Sequence, residues 1–244
     1  MSTVLILGAT SDMAWATAKR FAAEGHDIIL AARNEDHLET LKSDLEIRSG
    51  RQVDIALFDA LYPDLHRDFY DRLKLKPDVI ACFFGYLGDQ PNAEVIWDES
   101  ARIIHSNYTG AVSILSAGAN FLLKQGNGGS IIGVSSVAGD RGRMSNYLYG
   151  SAKAGFTAFL SGLRNRLFHQ KIHVMTVKPG FVATKMTSEM PLPGPLVASP
   201  EKVADDIYTG WKKRRNVIYT KWFWRYIMLI ITLIPEPIFK KLKM

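Results

Sequence analysis

Val4-Leu5-Ile6-Leu7-Gly8-Ala9-Thr10-Ser11-Asp12-Met13-Ala14 is the stretch whose reading decides the fold. Four consecutive apolar residues read as a short strand buried on both faces. They run straight into a glycine turn and then into a helical pattern. A glycine at such a turn lets backbone N–H groups approach a diphosphate at the helix N-terminus. One glycine alone leaves an ordinary tight turn open as the alternative. Asp12 is the odd residue, because a carboxylate repels a diphosphate. It is alternatively read as a helix cap, where an acid is favoured by roughly 0.3–1 kcal/mol.

The pattern repeats outward from this unit. Further short strands are expected at Asp27–Ala32, Val53–Leu57, Val79–Phe84, Ser130–Val134, His173–Val177 and Val217–Tyr219, with helical patterns near 13–24, 34–49, 94–124, 147–170 and 200–212. Strands alternating with helices predict an α/β fold, a doubly wound parallel sheet covered on both faces. Met190–Pro200, rich in proline, is expected to be an irregular loop. The simplest division is a nucleotide-binding domain over 1–220 and a C-terminal segment over 221–244.

Composition narrows the class. The chain has 244 residues, 47% of them hydrophobic, which is enough for a sizeable core. Cys82 is the one cysteine, so an internal disulfide framework and a cysteine-based zinc site are excluded. A reducing, cytoplasmic compartment is expected, and no secretory signal is evident. Residues 212–244 hold nine bases against one acid, Glu236. The tail is thus +8 of a net +6, and the body is −2. Basic charge confined to the tail argues against a nucleic-acid partner and for a local anionic one, such as a membrane surface. His26, His37, His66, His105, His169 and His173 show no metal-ligand spacing, and no metal is expected.

The second strand ends in Ala32-Arg33-Asn34, where an acid would meet the ribose hydroxyls and a base accommodates a 2′-phosphate. Arg33 therefore favours NADP(H), with NAD(H) as the alternative. Asp59, ending the third strand, is placed either to meet the adenine edge or to cap a helix.

Tyr149 and Lys153 are spaced i,i+4, on one helix face. A phenol with a reference pKa near ~10 is poorly matched to proton transfer at neutral pH, and a fixed ammonium nearby favours the phenolate. Ser136 follows the strand Ile131–Val134, where its hydroxyl is able to hold a substrate oxygen. Asn107 lies in the preceding helix. In isolation, Tyr-x-x-x-Lys is equally a surface pair.

Taken in order, the first-turn glycine, Asn107, Ser136, Tyr149, Lys153 and Lys178-Pro179-Gly180-Phe181-Val182-Ala183-Thr184 resemble the short-chain dehydrogenase/reductase family. The resemblance implies a Rossmann sheet of seven strands. It implies Tyr149 as proton donor to a ketone, Ser136 stabilising its oxygen, Lys153 lowering the tyrosine pKa and holding the nicotinamide ribose, and Asn107 supporting a proton relay. Gly8, Thr10, Ser11, Asp12, Met13, Arg33, Asp59, Gly85, Tyr149, Lys153, Pro179, Gly180, Val182 and Thr184 are the implied cofactor residues, Thr184 meeting the carboxamide. The sequence departs from the family pattern where Asp12 and Ala14 replace glycines and where Cys82-Phe83-Phe84-Gly85 replaces Asn-Asn-Ala-Gly. A homo-oligomer is expected.

Within the family, Phe84–Asp89, Ala138–Arg143 and the stretch from Trp222 to Lys243 resemble the reductase subunits of decaprenylphosphoryl-ribose 2′-epimerase systems. That branch reduces a polyprenylphosphoryl 2-keto-pentose beside a partner oxidase. It implies a lipid-phosphate-linked keto-sugar as the ketone substrate and a role in cell-wall polysaccharide precursors.

The tail supports an amphipathic partner independently. After Arg225 come nine residues, apolar but for Thr232, and then Pro235 and Pro237. A spanning helix needs about 20. Trp and Tyr beside Lys and Arg suit the headgroup boundary, on the cytoplasmic face of the inner membrane. The alternative is a tail that packs on the domain or closes an oligomer. Arg141 and Arg143 lie between Ser136 and Tyr149 and are read as candidates for the substrate phosphodiester, or as solvated residues of a loop in which Asp140 is a partner. Phe181, Met186 and Met190 are read as a lid over an apolar acceptor or as core filling. The competing functions are a reductase of a soluble ketone or acyl chain and a non-catalytic cofactor sensor, the latter disfavoured because all four tetrad residue types are present.

Overall fold

Strands and helices alternate from the first residues of the computed structural model, which describes residues 1–188 and 193–243. The first half runs β1 (Thr3–Leu7), α1 (Asp12–Ala23), β2 (Asp27–Ala32), α2 (Glu35–Ser49), β3 (Val53–Leu57), β4 (Val79–Cys82), α3 (Gln90–Val95), α4 (Trp97–Ile104) and α5 (Gly110–Gln125). The second half runs β5 (Gly129–Val134), α6 (Tyr147–Leu167), β6 (Ile172–Pro179), β7 (Phe181–Val182), β8 (Val197–Ala198), α7 (Pro200–Lys212), β9 (Val217–Thr220), α8 (Trp224–Leu233) and α9 (Glu236–Phe239).

Seven strands form one parallel sheet in the order β3-β2-β1-β4-β5-β6-β9. The pleat sorts β1 between two cores. Val4 and Ile6 face a cluster with Phe21, Leu38 and Val203, whereas Leu5 and Leu7 face one with Leu115, Phe156 and Leu160. The strand order reverses between β1 and β4. This opens a crevice at the carboxyl ends of the strands, where doubly wound sheets bind ligands.

Two expectations need correction. The helical pattern near 94–124 is three helices and a π turn. Ile96 is extended (φ −114°, ψ 106°) and breaks α3 from α4, and residues His105–Thr109 form a single π-helical turn before α5. The segment read as irregular contains β8, whose Val197 and Ala198 pair with β7; Met190 lies outside the described residues. The tail is helical up to Leu233, and Pro235 turns it into the short α9. Among the described residues, no helix is long and apolar enough to cross a membrane.

Candidate active site

A groove of about 410 Å³ lies over the crevice, built from the β1–α1 turn (Gly8 to Met13), the ends of β2 and β3, the residues after β4, and Thr184–Met186. Gly8 has φ +84°, and a Cβ there would lie 2.8 Å from the Phe84 amide nitrogen, so the turn admits no side chain. Ser11 caps α1, its Oγ accepting from the Ala14 amide at 3.3 Å. The first-turn amides of Asp12 and Met13 have no carbonyl to meet within the helix. Both residues line the groove, and free amides at a helix N-terminus suit an anion.

Asp12 is not the cap. Its carboxylate accepts from the Lys185 amide at 2.8 Å, which ties the β1–α1 turn to the segment after β7. Arg33 lines the groove beside Asn34, the N-cap of α2. Asp59 lines the groove at the far side, with its side chain accepting from the Leu61 amide at 3.0 Å. Buried His66 braces that corner, bonding the Asp59 carbonyl at 2.9 Å and Ser113 Oγ at 3.0 Å.

Gly85 joins this groove to the expected tetrad. A Cβ on Gly85 would lie 2.6 Å from Asn107 Oδ1 and 3.2 Å from Lys153 Nζ. Asn107 is buried in the π turn. Its Nδ2 donates to the Tyr86 and Ile103 carbonyls, and its Oδ1 accepts from the Tyr86 amide at 3.3 Å. Lys153 is buried, and its Nζ donates to the Val134 carbonyl at 3.2 Å. Ser135, which sequence reasoning passed over, fixes α6 against β5 by donating to the Lys153 carbonyl at 3.0 Å. Ser136 Oγ accepts from the Ala138 amide at 3.1 Å.

The electrostatics differ from the sequence expectation. Part of Tyr149 reaches the surface, yet desolvation pushes its phenol up to about 12, with the Ser136 hydroxyl pulling the other way. Burial brings the Lys153 ammonium down to about 8, with Cys82 opposing. Lys153 stands 5.7 Å from the Tyr149 ring centroid. The shifts are governed by burial rather than by mutual attraction of the pair.

Of the expected cofactor residues, Gly8, Thr10, Ser11, Asp12, Met13, Arg33, Asp59, Gly85 and Thr184 line the groove. Pro179 ends β6, Gly180 donates its amide to the Thr220 carbonyl, and Val182 is a core side chain. Pro179, Gly180 and Val182 do not line the groove. Met186 lines the groove, whereas Phe181 packs beneath the tail.

Arg141 is a correction. Its Nη1 donates to the carbonyls of Ile231, Thr232 and Ile234, its Nη2 pairs with Glu236 at 2.8 Å, and its guanidinium covers the Phe239 ring at 3.8 Å. These bonds use it up as a clasp on the end of α8, not as a phosphate ligand. Asp140 does not serve it, because that carboxylate takes Lys178 and the Tyr219 hydroxyl. Arg143 remains a candidate. Its Nε is buried without a partner among the described residues, and desolvation lowers its pKa. Sequence reasoning also missed Tyr86 and Arg102. Both line the groove, with the Arg102 guanidinium 4.2 Å from the Tyr86 ring centroid and the Tyr86 hydroxyl donating to Glu99. Tyr86 lies in the Phe84–Asp89 stretch but was given no role of its own, and no motif marked Arg102.

A seven-stranded doubly wound sheet with a glycine-turn groove at its switch point defines a nucleotide-dependent α/β enzyme. The short chain dehydrogenase family model matches residues 2–192. The chain belongs to that family and is an NAD(P)-dependent oxidoreductase. It is 34% identical over 242 residues to an uncharacterised oxidoreductase of Mycobacterium tuberculosis, covering 98% of this chain and 96% of the relative. A short-chain dehydrogenase of Sphingobium yanoikuyae in complex with NADPH superposes with a TM-score of 0.79 at 24% identity, covering 90% of this chain and 88% of that one. One of Mycobacterium paratuberculosis bound to NAD gives a TM-score of 0.75 at 25% identity, covering 89% and 95%.

Proposed function

We propose that this protein reduces a ketone to a secondary alcohol with NADPH, Tyr149 serving as the acid. The observation that carries the reading is the meeting of Asn107 and Lys153 around Gly85, at the end of the groove. When bound, the dihydronicotinamide supplies hydride to the carbonyl carbon. Tyr149 Oη holds a proton at neutral pH, since burial keeps the phenol protonated, and passes it to the carbonyl oxygen. Ser136 Oγ holds that oxygen, and the Lys153 charge offsets the phenolate left behind. Asn107 keeps the Tyr86 backbone in place beside Gly85, where a bound cofactor would be held. Arg33 selects the 2′-phosphate.

The acceptor in this reading is a polyprenylphosphoryl-linked keto-sugar, such as the keto-pentose left by a partner oxidase. Arg143 meets its phosphodiester, and segment 221–244 holds a homo-oligomeric enzyme at the cytoplasmic face of the inner membrane. The support is the desolvated, unpaired Arg143 Nε and the apolar, basic tail. NADPH oxidation with a polyprenylphosphoryl 2-keto-pentose is expected to exceed that with a soluble β-keto ester. Arg143→Met raises KM for the former alone. Faster turnover of the soluble ester, with Arg143→Met neutral, favours a reductase of soluble ketones whose tail serves assembly.

A further inference from the structure

Helix α8 is apolar on two opposite faces. Trp224 and Met228 are buried against Val137, with Phe181, Leu196, Tyr219 and Ile227 around them. On the other side Tyr226, Leu229, Ile230 and Leu233, with Trp222 in the preceding turn, are 53–72% exposed. At about 100° per residue the four helical residues fall within one arc of roughly 100°, an unbroken apolar stripe. Arg225 lies on its flank, and Lys240, Lys241 and Lys243 follow the short α9. Glu236, the only acid of the tail, is already paired with Arg141.

The inner face is keyed to the catalytic loop. Val137 follows Ser136 directly and packs on Trp224 and Met228. Four residues on, Arg141 grips the last carbonyls of α8 and Glu236. Between them Asp140 anchors the same loop to β6 and β9 through Lys178 and Tyr219. The Trp224 indole lies against Gly180, and its Nε1 donates to the Leu196 carbonyl at 3.4 Å. The contacts of α8 with this loop therefore fall on Val137 and Arg141, one and five residues after Ser136.

We infer that the outer stripe of α8 docks in the headgroup boundary of an anionic bilayer, and that Arg141 is a positioning residue coupling the docked helix to the Ser136 loop. The inference rests on the reading of a lipid-linked acceptor. A bilayer fits the stripe because a ten-residue helix is too short to span, while an exposed apolar arc edged by bases lies in the interface plane. Arg225, Lys240, Lys241 and Lys243 supply the attraction to anionic lipid. A second copy of the same basic face would meet it with repulsion.

The test uses the full-length protein, vesicles of phosphatidylcholine with or without phosphatidylglycerol, flotation, and amide hydrogen exchange. Wild type floats with the anionic vesicles only, and exchange slows over 222–234 and over 137–141 together. The double variant Ile230→Asp, Leu233→Asp loses about ten-fold or more in vesicle affinity, while NADPH binding reports an intact fold. Arg141→Gln still floats, with slowed exchange over 222–234 but not over 137–141. Flotation of the double variant at the wild-type level overturns the docking face. So does a fall in hydrodynamic mass of the double variant without lipid, which identifies the stripe as a subunit interface. Slowed exchange over 137–141 in Arg141→Gln overturns the coupling. None of these readouts needs a ketone, so failure of the proposed reduction is distinguished from failure here.

Discussion

Lys153 Nζ stands 5.7 Å from the centroid of the Tyr149 ring and donates to the Val134 carbonyl, one helical turn along α6 from the phenol it serves. Burial holds the two groups in opposite senses, the phenol protonated up to about 12 and the ammonium charged only up to about 8. The ammonium therefore sets the alkaline limit of proton transfer. Reduction is expected to fall as pH rises through about 8, with no separate loss near the phenol's range. The kcat profile of Lys153→Arg, whose charge persists, shifts that limb upward. A wild-type profile flat to pH 10 contradicts this.

The same burial has a stability consequence. The Lys153 pKa lies below its ordinary value of 10.5, so between about 8 and 10.5 the unfolded chain binds a proton that the folded chain has released. Stability due to this group rises with pH across that window, and at pH 7 the buried charge costs roughly 3 kcal/mol. Lys153→Met is expected to be more stable than wild type at pH 7. The gain is less by about 1 kcal/mol for the lost hydrogen bond. Urea unfolding at pH 7 and pH 10 checks this, because the gain disappears at the higher pH.

Arg33 lines the groove at the end of β2, where a 2′-phosphate would lie. Arg33→Ala is expected to weaken NADPH binding by about ten-fold or more, from the loss of a charge-assisted contact. NADH binding changes by less than about three-fold. Fluorescence titration of both nucleotides reads the ratio, and an equal loss for both contradicts a phosphate role.

Trp222 and Trp224 stand two residues apart with opposite burial, 72% and 4% exposed. Trp224→Ala removes a large ring from between Val137, Gly180 and Leu196 and is expected to cost about 3–5 kcal/mol in denaturant unfolding. Trp222→Ala stays within about 0.5 kcal/mol. Equal effects would mean that the inner and outer faces of α8 are wrongly assigned.

Particular residues explain what was readable beforehand. The strands were legible because Val4–Leu7 and their counterparts are buried on both faces and so written as apolar runs. The parallel sheet followed from their alternation with helices. Tyr149 and Lys153 were picked out by their i,i+4 spacing, and Ser136 and Asn107 joined them through the family resemblance; the structure brings Asn107 and Lys153 together at Gly85. What spacing does not carry is the direction of a side chain over long sequence separation. Arg141 belongs to carbonyls 90 to 93 residues away, and Asp12 to an amide 173 residues away. The break at Ile96 left no proline or glycine to read. The sign of the Tyr149 shift depends on desolvation by the folded surroundings, which a local i,i+4 argument omits.

Single-turnover oxidation of NADPH by wild type and Tyr149→Phe, across ketones from a polyprenylphosphoryl 2-keto-pentose to a soluble β-keto ester, tests the central claim most directly. Tyr149→Phe is expected to bind NADPH with unchanged Kd while hydride transfer to the preferred ketone falls by about 10²–10⁴. Turnover by Tyr149→Phe at the wild-type rate, or no oxidation of NADPH by wild type with any of these ketones, contradicts it.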